Sequence, residues 1–425
     1  MERCLTPDES RALELADRLA QSFAERAEAH DREASFPHEN YDEMREAGFL
    51  GLTVPQELGG MGAGLYAMCI ALERLAGGCA STALAVTMHV SPLLQLSSLW
   101  RAEPELGGLE EMLREAAAGR VVFASMSAEP GPSTLMTSLT TATPVDGGYS
   151  VSGKKIFGTE SAVCTHFSTM ARVDDPEQGS RVIFFRIPRS SEGLSFKDTW
   201  DTLGMRATQS NDWEMNEVFV PAEAVFHSYP VGHFDGKMLK TVWGTSLPAF
   251  GSIYLGVAAA ALDWCRDWTI SRKRLHHPGV QSRVAQMEIL LETARAAIRS
   301  HCIDMESGAL PQLDVQAGMA KCSVVKFVAT NNAVQILDLV MQVAGGPGFY
   351  RRSPLERMYR DVRAGTIHPL NNLDTEELIG KTALGIQIAP AIPLEESGHE
   401  SKPREQNGQV DPASLPMRAT SGWTI

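Results

Sequence analysis

Four short stretches carry side chains whose types and spacing suit the binding of a flat or phosphorylated ligand. Ser125-Met-Ser-Ala-Glu-Pro-Gly131 follows a short apolar run and opens into a loop with Pro132, Ser133 and Thr134. Its backbone amides and hydroxyls could hold a polar ring or a phosphate, or form an ordinary surface turn. Gly153-Lys-Lys-Ile-Phe157-Gly-Thr159 reads as a strand ending in an aromatic ring and a hydroxyl. That pair could wall a flat cofactor, although a Phe so placed also serves as core. Ser271-Arg272-Lys273-Arg274 closes a long helical stretch, where cations complement the helix dipole and an Arg fork also suits phosphate. Gln342-Val-Ala-Gly345-Gly346-Pro347-Gly348-Phe349 breaks another helical stretch, and its glycines let backbone approach a phosphate or dinucleotide.

Other chemistries lack their residues. His276 and His277 are adjacent, not spaced i, i+4, and no HExxH or Cys partner supports a metal site. No GxGxxG follows a strand, so a tightly held NAD is not indicated, and neither GxSxG nor a P-loop is present.

The elements that must position these stretches fall into three blocks. Thr6-Pro7-Asp8-Glu9 offers an N-cap, a proline at the first helical position and a Glu three residues after the cap. Ala12, Leu15, Ala16, Leu19 and Phe23 then recur at helical spacing, and further helices are expected near 39–47, 66–76, 82–96 and 110–118. From Val121 the helical period is lost. Short apolar runs at 121–126, 139–143, 149–151, 167–172, 182–187 and 213–220, with a hairpin signal at Asp146-Gly147-Gly148, predict a β domain over 119–228. Long apolar-periodic segments at 249–274, 280–307, 315–343 and 374–385 predict an antiparallel bundle over 229–389. The first block is thus 1–118, and a Glu-, Ser-, Gly- and Pro-rich tail occupies 390–425.

Composition narrows the class. The 425 residues carry a net charge of −14, which argues against nucleic acid as the main partner. Seven cysteines with no CxxC pair fit reduced, buried thiols in a cytoplasmic protein. No export signal is apparent, and the longest apolar stretch, 249–262, is interrupted by Gly251, Ser252 and Gly256, so no membrane span is expected.

Taken in this order, the segments resemble the acyl-CoA dehydrogenase family of flavoproteins over about residues 8 to 388. The resemblance rests on Phe36-Pro37, on Gly48-Phe-Leu-Gly-Leu-Thr-Val-Pro55 with Gly59-Gly60, and on Ser127-Ala-Glu-Pro-Gly131 and Gly153-Lys-Lys-Ile-Phe-Gly-Thr159. It continues in Leu203-Gly-Met-Arg-Ala-Thr208, Val218-Phe-Val-Pro221, Arg272-Lys273 and Gln342-Val-Ala-Gly-Gly346, running to Arg360-Asp361. It implies an α+β multidomain fold: an N-terminal helical domain, a central β-barrel-like domain and a C-terminal four-helix bundle. It also implies one FAD per subunit of a homotetramer or dimer. Ser127 and Ala128 would offer backbone contacts to the flavin ring, and Ser133 a contact near the pyrophosphate. Phe157 would replace the family's usual Trp beside the ring, and Thr159 would bond the N5 edge. Arg272, Gln342, Gly345 and Gly346 would serve FAD across a subunit boundary.

The chemistry the resemblance implies is α,β-dehydrogenation of an acyl-CoA or other acyl thioester, with electrons passed on to an acceptor. A Glu takes the α proton as hydride leaves for flavin N5. This sequence departs from it. Eight residues after Asp361, where most members place that Glu, stands Pro369, and the alternative position on the first bundle helix falls near Ser246. The substrate-binding Arg that often follows is replaced by Leu247, and Pro132-Ser133-Thr134 replaces the usual Gly-Ser-Asp. Related flavin monooxygenases on the same fold carry a pair of histidines at the positions of His89 and His368, able to stabilise or protonate flavin-bound oxygen. His89 could equally be a buried helix residue, and His368 a turn cap. The leading expectation is an FAD-dependent dehydrogenase with His368 as a substitute base. The alternatives are a monooxygenase fed with reduced flavin by a separate reductase, and a catalytically silent flavin-binding protein.

Overall fold

Thr6 and Glu9 close the first helix as a reciprocal capping box, with Thr6 Oγ1 accepting from the Glu9 amide at 3.2 Å and Glu9 Oε2 from the Thr6 amide at 2.8 Å. The computed structural model describes residues 6–388 except 106–107, 132–135, 176–178, 234–235 and 237–241. Ser133 and the tail from 390 lie outside the described residues. Helix α1 (Pro7–Glu33) buries Ala12, Leu15, Ala16, Leu19 and Phe23. It is followed by α2 (His38–Glu46), α3 (Leu65–Gly78), α4 (Ala80–Ala102) and α5 (Leu109–Ala117).

Eight strands follow: β1 (Phe123–Met126), β2 (Thr141–Val145), β3 (Gly148–Lys155), β4 (His166–Asp175), β5 (Gly179–Pro188), β6 (Leu194–Lys197), β7 (Asp212–Pro221) and β8 (Val225–Pro230). They form one sheet of order β6-β7-β3-β2-β4-β5-β8, with β1 parallel to β4. Phe167 of β4 packs against Phe196 of β6 and Trp213 of β7, strands well removed from it in that order. The sheet therefore folds over its own core, as a barrel-like domain requires. Strands β6 and β8 are absent from the sequence reading. The first spans four residues, and the second is an edge strand ending in proline, so neither shows alternation over a useful length.

The bundle comprises α6 (Gly244–Ser271), α7 (Pro278–Glu306) and α8 (Val315–Ala344), with α9 (Pro354–Asp361), α10 (Ala364–Ile367) and α11 (Asn372–Ala383) packed along it. Gly251 and Gly256 do not interrupt α6. A β-carbon on Gly251 would lie 3.0 Å from that of Ala329, and one on Gly256 would lie 2.0 Å from the Glu73 carbonyl oxygen. They are close-approach points to α8 and α3. Helices α6 and α8 are thus long and apolar enough to cross a membrane by length and composition alone, but 78% of the most apolar window of α6 is buried within the protein. The six described cysteines are free and buried.

Candidate flavin-type site between the sheet and the bundle

The loop after β1 and the end of β3 are fixed to each other by a buried ion pair. Lys155 Nζ lies 2.6 Å from Glu129 Oε1, and both side chains are fully sealed from solvent. Glu129 also accepts from the Ser138 hydroxyl at 2.7 Å, the Leu139 amide at 2.7 Å, and the Thr140 amide and hydroxyl at 2.9 and 2.7 Å. Burial pushes its carboxyl up, but Lys155 and these donors outweigh burial and hold it below the ordinary carboxylate range. Burial pulls Lys155 down to about 8, against the opposing pull of Glu129, so it remains a cation at neutral pH. The Ile156 amide then donates to the Ala128 carbonyl at 3.0 Å, setting the part-exposed Ser127 and Ala128 beside Phe157 and Thr159. The sequence carried both partners in its two motifs, but nothing in spacing alone says that they meet.

Phe157 is 56% exposed, although its φ of 58° places it in the left-handed region that non-glycine residues rarely occupy. Its ring stands edge-on to Trp200 at 6.0 Å. Gly158 is obligatory: a β-carbon there would sit 2.2 Å from Trp213 Nε1 and 2.5 Å from the Asn211 carbonyl oxygen. An exposed aromatic ring held by strained backbone, with a hydroxyl two residues on, fits one face and edge of a flat heterocycle.

Thr159 begins a hydroxyl chain running toward the bundle. Its Oγ1 lies 2.9 Å from Ser210 Oγ, which lies 2.8 Å from Thr208 Oγ1. Thr208 donates to the Met205 carbonyl at 2.9 Å, and the Met205 amide donates to Asp361 Oδ1 at 2.6 Å. Asp361 is buried, and burial raises its carboxyl to about 6, chiefly against Arg357. It is committed to Met205.

On the bundle side, one face of α6 presents Ser246, Phe250 and Tyr254 at i, i+4, i+8. The His368 ring meets Phe250 edge-on at 4.5 Å and lies 6.3 Å from Tyr254. Gly365 allows this approach, since a β-carbon there would lie 2.8 Å from the Tyr254 ring. His368 is part-buried, its Nδ1 is sealed without a partner, and burial together with the nearby Lys326 charge pushes the imidazole down to about 3. It is neutral at physiological pH. Across the α4–α6 contact, Ser91 Oγ lies 3.1 Å from Ser246 Oγ, and Gln95 Nε2 donates to Thr245 Oγ1 at 2.7 Å. The result is an uncharged cluster of hydroxyl and amide groups at the α4–α6 contact.

His89 lies on the other side of α4 from Ser91, against Phe123 at the start of β1. Residues 89 and 91 are about 200° apart around a helix, so when Ser91 faces α6, His89 faces away. It is fully buried, its Nδ1 accepts from the Phe123 amide at 3.1 Å, and burial lowers the imidazole to about 3, against a small upward pull from the Leu50 carbonyl. Through this bond the residue ties α4 to β1, while its Nε2 is buried without a hydrogen-bond partner among the described residues.

Arg272, Gln342, Gly345 and Gly346 are brought together, all exposed, at the opposite end of the bundle. Arg272 covers the Trp268 ring at 4.2 Å, and neighbouring Arg274 donates to the Val343 carbonyl at 3.2 Å. From Tyr254 to Arg272 the helix advances roughly 27 Å, at about 1.5 Å per residue. A single chain therefore presents two separated surfaces: a candidate ring-binding wall and a cationic, glycine-rich helix end.

Comparisons with known proteins follow the same division. The N-terminal, middle and C-terminal domains of acyl-CoA dehydrogenase match residues 6–99, 124–218 and 249–373. An amino sugar nitrososynthase of Streptomyces peucetius is 32% identical over 391 residues, covering 89% of this chain and 94% of that protein. A putative acyl-CoA dehydrogenase of Bacillus subtilis (strain 168) is 32% identical over 372 residues, covering 84% and 92%. The solved structure of KijD3 in complex with FMN and dTDP-3-amino-2,3,6-trideoxy-4-keto-3-methyl-D-glucose superposes with a TM-score of 0.82 at 29% identity, covering 90% and 95%.

Proposed function

The chain belongs to the acyl-CoA dehydrogenase family, and from that premise we propose that it is a flavin-dependent monooxygenase rather than an acyl-thioester dehydrogenase. One observation carries the reading. Residues 80–102, 244–262 and 362–373, which supply the bundle-side lining, contain no Asp or Glu. Removal of a proton from a carbon acid needs a base of suitable strength within reach. His368, at about 3, is far too weak a base for an α proton, and Asp361 is occupied by the Met205 amide. The expectation of His368 as a substitute base is therefore set aside.

What the lining offers instead is hydrogen bonding without charge. Ser127, Ala128, Phe157 and Thr159 would hold the isoalloxazine. When bound and reduced, that ring supplies the two electrons needed to activate O₂. A separate flavin reductase would deliver it. His368 would act as a neutral hydrogen-bonding group toward oxygen or substrate, since one ring nitrogen of a neutral imidazole donates and the other accepts. Ser91, Gln95 and Ser246 would orient a polar small molecule. An amine is the class favoured by the relatives, one named an amino sugar nitrososynthase and another solved with an amino-sugar nucleotide.

The test pairs two assays on the purified protein. With FMN or FAD, a flavin reductase, NADH and O₂, a panel of amino-sugar nucleotides should give a product that has gained an oxygen atom. Under anaerobic conditions a panel of acyl-CoAs should leave the flavin absorbance unchanged. Anaerobic bleaching with formation of an enoyl thioester overturns the reading in favour of dehydrogenation.

A further inference from the structure

Lys326 is 1% exposed in the middle of α8. Its Nζ donates to the carbonyls of His368 and Leu370, at 2.7 Å each, and no carboxylate pairs with it among the described residues. A buried cation without a counter-ion is costly, and an apolar side chain of similar volume would pack there with less penalty. Its two bonds straddle Pro369, so they fix the backbone on both sides of the residue that leads out of the His368 turn. The His368 ring makes no hydrogen bond among the described residues and meets only the edges of Phe250 and Tyr254. Its orientation is therefore set through its own backbone, whose amide donates to the Ala364 carbonyl at 2.9 Å and whose carbonyl is held by Lys326.

We propose that Lys326 is the positioning residue of the candidate site: it clamps the 368 and 370 carbonyls so that the His368 imidazole is held unpaired against Phe250 and Tyr254, with a ring nitrogen left for a ligand. The reaction consequence rests on the monooxygenase reading, but the clamp itself does not. Lys326 acts through His368 and touches no substrate.

The experiment uses the full chain and reads His368 directly. Reaction of each histidine with diethyl pyrocarbonate, resolved by peptide mass spectrometry, is compared in wild type, Lys326→Met and Lys326→Gln. In Lys326→Met the His368 carbonyl loses its side-chain donor and the Leu370 carbonyl keeps only the Thr375 hydroxyl, at 3.4 Å, and the His368 modification rate should change about five-fold or more as the turn opens locally, while that of His301 stays constant. Gln is shorter and reaches one carbonyl at most, so it should shift the rate about three-fold and serves if the Met variant does not fold. A His368 rate equal to wild type in a folded Lys326 variant overturns the proposal. Turnover separates the two ideas. A fall in kcat of about ten-fold with flavin KM unchanged supports both. Altered His368 reactivity with unaltered kcat keeps the clamp and removes His368 from the proposed reaction.

Discussion

Replacing Lys155 by Met removes one partner from the buried pair and leaves Glu129 at a site with no route to water. Loss of one member of a buried ion pair costs about 3–5 kcal/mol, because the surviving charge is uncompensated. Four of the five donors to Glu129 remain, from Ser138, Leu139 and Thr140, so the lower end applies, about 3 kcal/mol. Equilibrium unfolding in urea, followed by tryptophan fluorescence, measures the loss. The double variant Glu129→Gln/Lys155→Met should recover a substantial part of it, since the orphaned charge is gone. A second readout is local. The pair holds the loop of Ser127 and Ala128 against the strand end of Phe157 and Thr159, so Lys155→Met should weaken flavin binding about ten-fold or more in fluorescence titration. A Lys155→Met protein within about 1 kcal/mol of wild type, binding flavin normally, would show that the wall is fixed by something else.

His368→Ala should lower turnover by about 10²-fold while flavin stays bound, and wild-type activity should show no inflection near pH 6.5 arising from this residue; an inflection there that disappears in the variant would refute the neutral imidazole. Gly158→Ala forces a methyl group against Trp213 and the Asn211 carbonyl, and should cost about 2 kcal/mol or more in thermal or urea unfolding together with flavin binding; normal binding would place the ring elsewhere. His89→Gln should leave kcat intact if the side chain only ties α4 to β1. Its folded value of about 3 lies below the free 6.5, so the unfolded chain takes up a proton first and wild-type stability falls as pH drops from about 6.5 toward 3. The Gln variant should lose part of that acid sensitivity in unfolding curves collected across this range, and an unchanged slope would contradict the burial argument.

Local signals were readable where they act locally. The Thr6–Glu9 capping box and the apolar spacing of α1 need no information from elsewhere in the chain, and the structure reproduces them. Gly251 and Gly256 show the limit of that logic. In sequence they interrupt an apolar run, whereas in space they are where α8 and α3 press against α6, a fact that belongs to the partners. His89 was ambiguous for the same reason, because its helical phase is meaningful only once Ser91 is seen to face Ser246. Glu129, Lys155 and Lys326 are charged residues of types that usually lie at the surface. Only tertiary packing turns the first two into the brace of the ring wall and the third into a clamp on the His368 turn. The absence of Asp and Glu from residues 80–102, 244–262 and 362–373 was legible, because it is a statement about residue identity alone.

The separation between the two candidate cofactor surfaces turns a question of cofactor identity into one of assembly. The ring wall at Ser127, Phe157 and Thr159 lies on the sheet, level with the middle of the bundle through the Met205–Asp361 contact. The glycine turn at Gly345 and Gly346, with Arg272 beside it, lies at the far helix end, beyond roughly 27 Å of helix. A mononucleotide flavin would engage only the first surface, so its binding would be complete within one chain. A dinucleotide reaching the second surface as well would need another chain to supply it, if the two surfaces of one chain lie too far apart to share one cofactor. On this reading, assembly of chains would add affinity for FAD that it would not add for FMN, and dilution should separate the two affinities. In the single chain Arg272, Gln342, Gly345 and Gly346 are exposed, which leaves that surface open to such a contact.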